Sequence, residues 1–196
     1  MLRIIKILLG ILGGLFWTAL MLSFADTKTA VMTIISALLH EAGHISALVM
    51  IKKKFSLPKL VASGFRIKTE SSLSYKEEII ICAAGPLTNI IIFVFCLPHT
   101  PFFAVINLAT AISNLLLLPG YDGYKITSDI ISMLLGNEKS DVLMPHFALI
   151  TCAVGVFLSL FLILLLNGGY WIFFVFFIVL LRQIFFLNKQ TKNESF

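Results

Sequence analysis

Residues Thr29–Ile51 read TAVMTIISALLHEAGHISALVMI, an apolar run of membrane-crossing length with His40-Glu41-Ala42-Gly43-His44 set inside it. About 20 predominantly apolar residues are needed for a helix to cross a hydrocarbon core. Working outward from this run, five further stretches have similar length and character: Ile7–Phe24, Ile79–Leu97, Phe102–Leu118, Phe147–Leu166 and Gly168–Leu187. The composition agrees. The chain has 196 residues, 59% hydrophobic and 13% charged, with a mean hydropathy of +0.99. A soluble domain carries about 25% charged residues. The expected fold is therefore an all-α polytopic membrane protein of about six transmembrane helices. Residues 1–196 form a single domain in this reading, since little sequence is left for another.

Charge gives the orientation. With six spans, both termini and the second and fourth loops share one side, and that side holds every one of the 15 basic residues except Lys28. By the positive-inside rule this side is cytoplasmic. The net charge of +5 then reads as topology and attraction to an anionic lipid bilayer, not as a nucleic-acid surface. Met1–Lys6 followed by an apolar run and Ser23-Phe24-Ala25 also fits a cleaved signal peptide, although about 18 apolar residues exceed a usual signal core. Cys82, Cys96 and Cys152 fall in spans, are odd in number and form no CxxC pair, so they read as apolar thiols packed between helices.

The longest polar stretch is Lys52–Glu78. Phe55, Leu57, Leu60, Val61, Phe65 and Ile67 are interleaved there with Lys59, Arg66 and Lys68, and Phe65-Arg66-Ile67-Lys68 alternates with period two. Pro58 and Gly64 are breakers. A short membrane-associated β-hairpin between helices 2 and 3 fits this pattern, and so does a flexible basic loop. Ser74-Tyr75-Lys76-Glu77 reads as a capping box opening the next helix.

The chemistry lies in the second span. Ionisable groups near a membrane centre cost roughly 2.5–3.5 kcal/mol each on insertion scales, so they mark function by default. His40 and His44 are i and i+4, one turn apart on one helix face, close enough to grip one metal ion. Glu41 is one residue further round, where its carboxylate reaches a water at that ion without being a ligand. This is the HExxH arrangement of zinc metalloproteases, and at this composition it is expected by chance only about 0.004 times. A histidine pair that merely packs between helices is the competing reading. It does not account for Glu41, a carboxylate that is costly to bury.

Catalytic zinc usually takes three protein ligands and a water, so a third donor is required. His40 lies about 12 residues before Lys52, roughly 18 Å from the cytoplasmic end of its span. Asp122, just after the fourth span, is the best-placed donor, and the breakers in Leu118-Pro119-Gly120-Tyr121-Asp122-Gly123 predict non-helical backbone there. Such backbone at membrane depth belongs where it is buried in protein or lines a wet cavity. Asp122 also fits a plain turn residue. Asp129, Glu138 and Asp141 read as part of a more polar, solvated segment, and His99 and His146 as span-edge residues. In the third span Gly85 could permit close helix approach, while Asn89 could bond a substrate backbone. Asn107 and Asn114 share a face of the fourth span, where either could line a polar cavity.

These residues resemble the site-2 protease family of intramembrane zinc metalloproteases. The matching segments are His40-Glu41-Ala42-Gly43-His44, Gly85-Pro86-Leu87-Thr88-Asn89, and Asn114 through Asp122-Gly123. In the family the last segment typically reads Asn-x-x-Pro-x-Pro-x-x-Asp-Gly. Asn114, Pro119, Asp122 and Gly123 keep that register, while Leu117 stands where the first proline is usual. The resemblance spans about residues 29–130, leaving the helices of residues 147–187 as accessory.

It implies Zn2+ held by His40, His44 and Asp122, with Glu41 as general base and Asn114, Asn89 or Gly85 toward substrate or oxyanion. It also implies a hairpin that clamps the substrate in extended form. The implied substrate is a membrane-tethered protein, such as a sigma-factor or anti-sigma-factor precursor, with room for an inhibitory membrane partner. The layout looks most like the sporulation-type branch. The expected location is a bacterial-type cell membrane, multi-pass, with both termini and the active site toward the cytoplasm. The rival is a metal-ion transporter using the same His and Glu residues, which should show polar residues continuing across the bilayer and often inverted repeats. Neither is evident in the sequence.

Overall fold

A computed structural model of the chain describes residues 26–51, 59–61, 64–66, 73–166, 173, 176–184 and 187. Five helices and two short strands have defined bounds: α1 (Thr27–Met50), β1 (Lys59–Val61), β2 (Gly64–Arg66), α2 (Tyr75–Cys96), α3 (Pro101–Asn114), α4 (Asp122–Leu135) and α5 (Asn137–Leu166). Residues 176–184 are also helical. The chain divides into two compact units, Met1–Leu115 and Leu116–Phe196.

In the first unit α1, α2 and α3 each pack against the other two. The start of α1 is fixed by Asp26, whose carboxylate accepts the Thr29 backbone N–H at 2.6 Å, satisfying one of the donors a helix N-terminus leaves open. At the start of α2 the capping box forms: the Ser74 hydroxyl accepts from the Glu77 backbone N–H, and the Glu77 carboxylate accepts from the Ser74 backbone N–H at 2.8 Å. Gly43 of α1 sits directly against α2. A Cβ there would meet Thr88 Oγ1 and the Ala84 carbonyl oxygen, the latter at 2.7 Å, so the two backbones can approach this closely only over glycine. β1 and β2 pair antiparallel, with Lys59 opposite Arg66, Leu60 opposite Phe65 and Val61 opposite Gly64.

In the second unit α4 packs on α5. Between them Gly136 takes φ +90°, a conformation side chains other than glycine rarely adopt. α5 runs through Pro145, and the Gln183 amide donates to the Pro145 carbonyl at 3.0 Å from a buried position.

Among the described residues three helices, α1, α2 and α5, are long and apolar enough to cross a membrane. Their outward residues are large and apolar: Leu38 is 56% exposed, Phe95 72% and Leu164 81%. Such a surface suits lipid, where it carries no penalty.

Three expectations change. The fourth expected span, Phe102–Leu118, is a shorter helix. α3 stops at Asn114 after 14 residues, about 21 Å of rise against a ~30 Å core. Beyond it the chain turns through Pro119 and Gly120, the latter at φ +100°, and neither suits a continuing helix. The segment after Asp122, expected to be polar and solvated, is helix α4, and Asp129 within it is only 2% exposed, paired with Lys125 at 2.8 Å. Glu138 and Asp141 are exposed as expected. The fifth apolar stretch begins earlier than Phe147, because α5 starts at Asn137 and crosses Pro145 without breaking. The first expected span, Ile7–Phe24, and the Ser23-Phe24-Ala25 site lie outside the described residues, as does part of Gly168–Leu187.

Candidate metal centre

The centre is built on α1. His40 and His44 project from one face, as their i, i+4 spacing requires, with ring centroids 4.7 Å apart and planes at 85°. Their Nε2 atoms lie 3.1 Å from one another. His40 is buried at 4% exposure and His44 is half-buried.

Helix α2 fixes the protonation of both rings. His44 Nδ1 lies 2.7 Å from the Ile81 carbonyl oxygen. A carbonyl can only accept, so Nδ1 carries the proton and the neutral ring's lone pair is on Nε2. The His40 proton is placed through two amides. Asn107 Nδ2 donates to the Phe103 carbonyl at 2.9 Å, which leaves Asn107 Oδ1 facing Asn89. Asn89 must then present its NH2 group, at 2.8 Å from that oxygen and 3.2 Å from the Ser36 carbonyl. Its own Oδ1 therefore faces His40 Nδ1 at 2.8 Å and accepts from it. Both rings thus carry a proton on Nδ1, and in their neutral forms the Nε2 lone pairs converge.

Converging lone pairs repel unless a cation satisfies both. The 3.1 Å separation matches a shared metal ion: with Zn–N near 2.0–2.1 Å, two nitrogens on one tetrahedral zinc are about 3.3 Å apart. Gly85 of α2 lies against the pair. A Cβ at that position would run into His44 Nε2 and Cε1 and come within 2.8 Å of His40 Cε1, so the residue is a cradle that only glycine leaves open.

Glu41 is half-buried, one residue round from His40. Asp122, the sequence-chosen third ligand, is the half-buried first residue of α4, where the N–H groups of a helix N-terminus stabilise negative charge. His40 and His44 offer two imidazole nitrogens to one ion, and Asp122 offers a carboxylate at the start of α4. Two imidazoles and a carboxylate are the ligand types of a catalytic zinc site.

The remaining expected residues separate. Asn89 and Gly85 meet the histidines, but the Asn89 amide is fully buried and bonded to His40, Ser36 and Asn107. Asn107, expected to line a polar cavity, is likewise fully buried in this network. Asn114 is half-buried at the end of α3, its amide donating to Thr110. His99 and His146 are exposed. Sequence reasoning missed two contributors, Ser36 and the Ile81 carbonyl. Ser36 carried a signal, since it is polar and one turn before His40 in an apolar helix.

No family model and no curated protein matches the chain. Among solved structures it is similar to the site-2 protease from Methanocaldococcus jannaschii, with 22% identity, a TM-score of 0.55, and coverage of 91% of this chain and 86% of that one. The chain shares the fold of that structure. The segments His40–His44 and Gly85–Asn89 lie on α1 and α2, which pack against each other.

Proposed function

We propose that the chain is a zinc metalloprotease cutting peptide bonds in or near the transmembrane segments of membrane-tethered proteins. The observation that carries this is the pair of imidazole Nε2 atoms 3.1 Å apart, one residue from Glu41, within a helix apolar enough to cross a membrane. In this reading His40, His44 and Asp122 are the ligands. When bound, zinc would supply Lewis acidity, polarising the scissile carbonyl and bringing the pKa of a water toward ~7. Glu41 takes the proton from the attacking water and returns it to the leaving amine. A substrate helix has its backbone amides bonded internally, so it must unwind before its carbonyl can be reached. The β1–β2 pair would lie on the cytoplasmic membrane face and hold the unwound stretch as an added strand.

The substrate we propose is a regulatory precursor such as a membrane-tethered sigma or anti-sigma factor. Both termini and the active site face the cytoplasm on the strength of the basic residues. A metal transporter would need hydrated polar groups continuing beyond His40. Ser36, Asn89 and Asn107 are instead fully buried and bonded to one another, a packed plug and not a path.

The test is cleavage of a membrane-tethered protein by the purified wild type beside Glu41→Gln. General acid–base catalysis contributes about 10²–10⁴-fold, and a loss of that size is expected. Wild-type turnover by the variant would remove the mechanism.

A further inference from the structure

We infer that Asn89, braced by Ser36 and Asn107, is a positioning residue for His40: the buried amide relay selects the imidazole tautomer whose Nε2 faces the ion. The inference rests on the metal reading above and extends the centre from α1 to α2 and α3. Ser36, Asn89 and Asn107 come from three different helices, and each is fully buried. In otherwise apolar helices, burying an amide without partners costs about 1–3 kcal/mol, so packing alone would be better served by leucine. Here each polar group has a partner, and the bonds run in one direction. The Phe103 carbonyl fixes Asn107. Asn107 Oδ1 and the Ser36 carbonyl fix the NH2 side of Asn89. The Ser36 hydroxyl, 3.1 Å from both Asn89 Nδ2 and Asn107 Oδ1, is anchored on Thr110 Oγ1 at 2.9 Å. What emerges at the end is one acceptor oxygen aimed at His40 Nδ1.

The chemical consequence is specific. Either nitrogen of a neutral imidazole can carry the proton, and only the Nδ1–H form leaves Nε2 able to ligate. An acceptor at Nδ1 selects that form and raises ligand basicity; losing such a partner typically costs 10–100-fold in metal affinity. His44 obtains the same selection from a backbone carbonyl, which no substitution removes. His40 depends on a side chain, so the two ligands respond differently to mutation.

The experiment uses the full chain in detergent micelles. Zinc affinity is measured by chelator competition for wild type, Asn89→Leu, Asn89→Asp, Asn107→Leu and His40→Ala. In parallel, 15N-histidine NMR reads the His40 tautomer in zinc-free protein, a signal that merely loosened packing would not move. Asn89→Leu should lose the Nδ1–H preference and bind zinc about 10–100-fold more weakly. Asn89→Asp, which keeps an acceptor at His40 Nδ1 but sets a second oxygen against Asn107 Oδ1 and the Ser36 carbonyl, should retain the Nδ1–H proton. Asn107→Leu should show a smaller loss, because the Ser36 carbonyl still orients the Asn89 amide. An Asn89→Leu protein with unchanged tautomer and affinity within about twofold of wild type, far short of the usual loss, overturns the inference. So does a wild-type His40 in the Nε2–H form, which needs no variant to fold. Wild-type zinc affinity that His40→Ala leaves intact would sink the metal reading instead, while the tautomer measurement still decides the relay.

Discussion

Replacing Gly85 with alanine adds one methyl group at the most constrained point of the centre. Built on the existing backbone, its Cβ would stand 2.5 Å from His44 Cε1 and 2.8 Å from His40 Cε1. Ordinary van der Waals contact begins near 3.4 Å, so the His44 ring must retreat by about 0.9 Å, against the ±0.2 Å within which metal–ligand distances are held. Misplacement of a reacting group by 1 Å costs on the order of 10²-fold in rate. The clash falls on side chains, which can rotate away, so the fold should survive with a loss of about 1–3 kcal/mol typical of overpacking. We therefore expect Gly85→Ala to fold, to bind zinc more weakly, and to lose cleavage by about 100-fold. Chelator competition reads the affinity and thermal unfolding reads the stability. Wild-type zinc affinity in a folded Gly85→Ala protein would show that the imidazoles do not stand where the structure has them.

Gly43→Ala should behave in the opposite way. Its Cβ would press on the backbone of Ala84, 2.7 Å from the carbonyl oxygen and 3.1 Å from the carbon, so α1 and α2 must part; a lowered unfolding temperature of the zinc-free protein is the expected reading. Asp122→Asn should weaken zinc binding while leaving unfolding of the zinc-free chain little changed, and unaltered affinity by chelator competition would take Asp122 out of the ligand set.

Much of the fold was legible because lipid leaves few choices: apolar runs of about 20 residues must be helices. The runs holding α1 and α2 could be read directly, and Ser74 and Glu77 announced the start of α2 through side-chain chemistry that is local in sequence. α3 and α4 were harder. A hydropathy reading runs on to Leu118, because residues 115–118 are all leucine and carry no mark of the turn that follows Asn114. Nor does a polar composition reveal that Asp129 is buried against Lys125 in α4. At the site, His40, Glu41 and His44 were legible because their spacing is local to one helix. The hydrogen-bond partners of Asn89, Asn107 and Ser36 were not, because they depend on which polar atom of one helix faces which atom of another. Sequence marks these residues as expensive in lipid, and only their packing says which of them orients a ligand.

The central claim is that a metal at His40 and His44 drives peptide hydrolysis with Glu41 as its base. The most direct measurement is cleavage of a membrane-tethered substrate after chelation and again after stoichiometric zinc, for wild type and for Glu41→Gln loaded with the same zinc content. The account predicts that wild type loses cleavage on chelation and regains it with zinc, while the variant holds the metal and stays inert. Cleavage by the chelated wild type, or by the zinc-loaded variant, would contradict it.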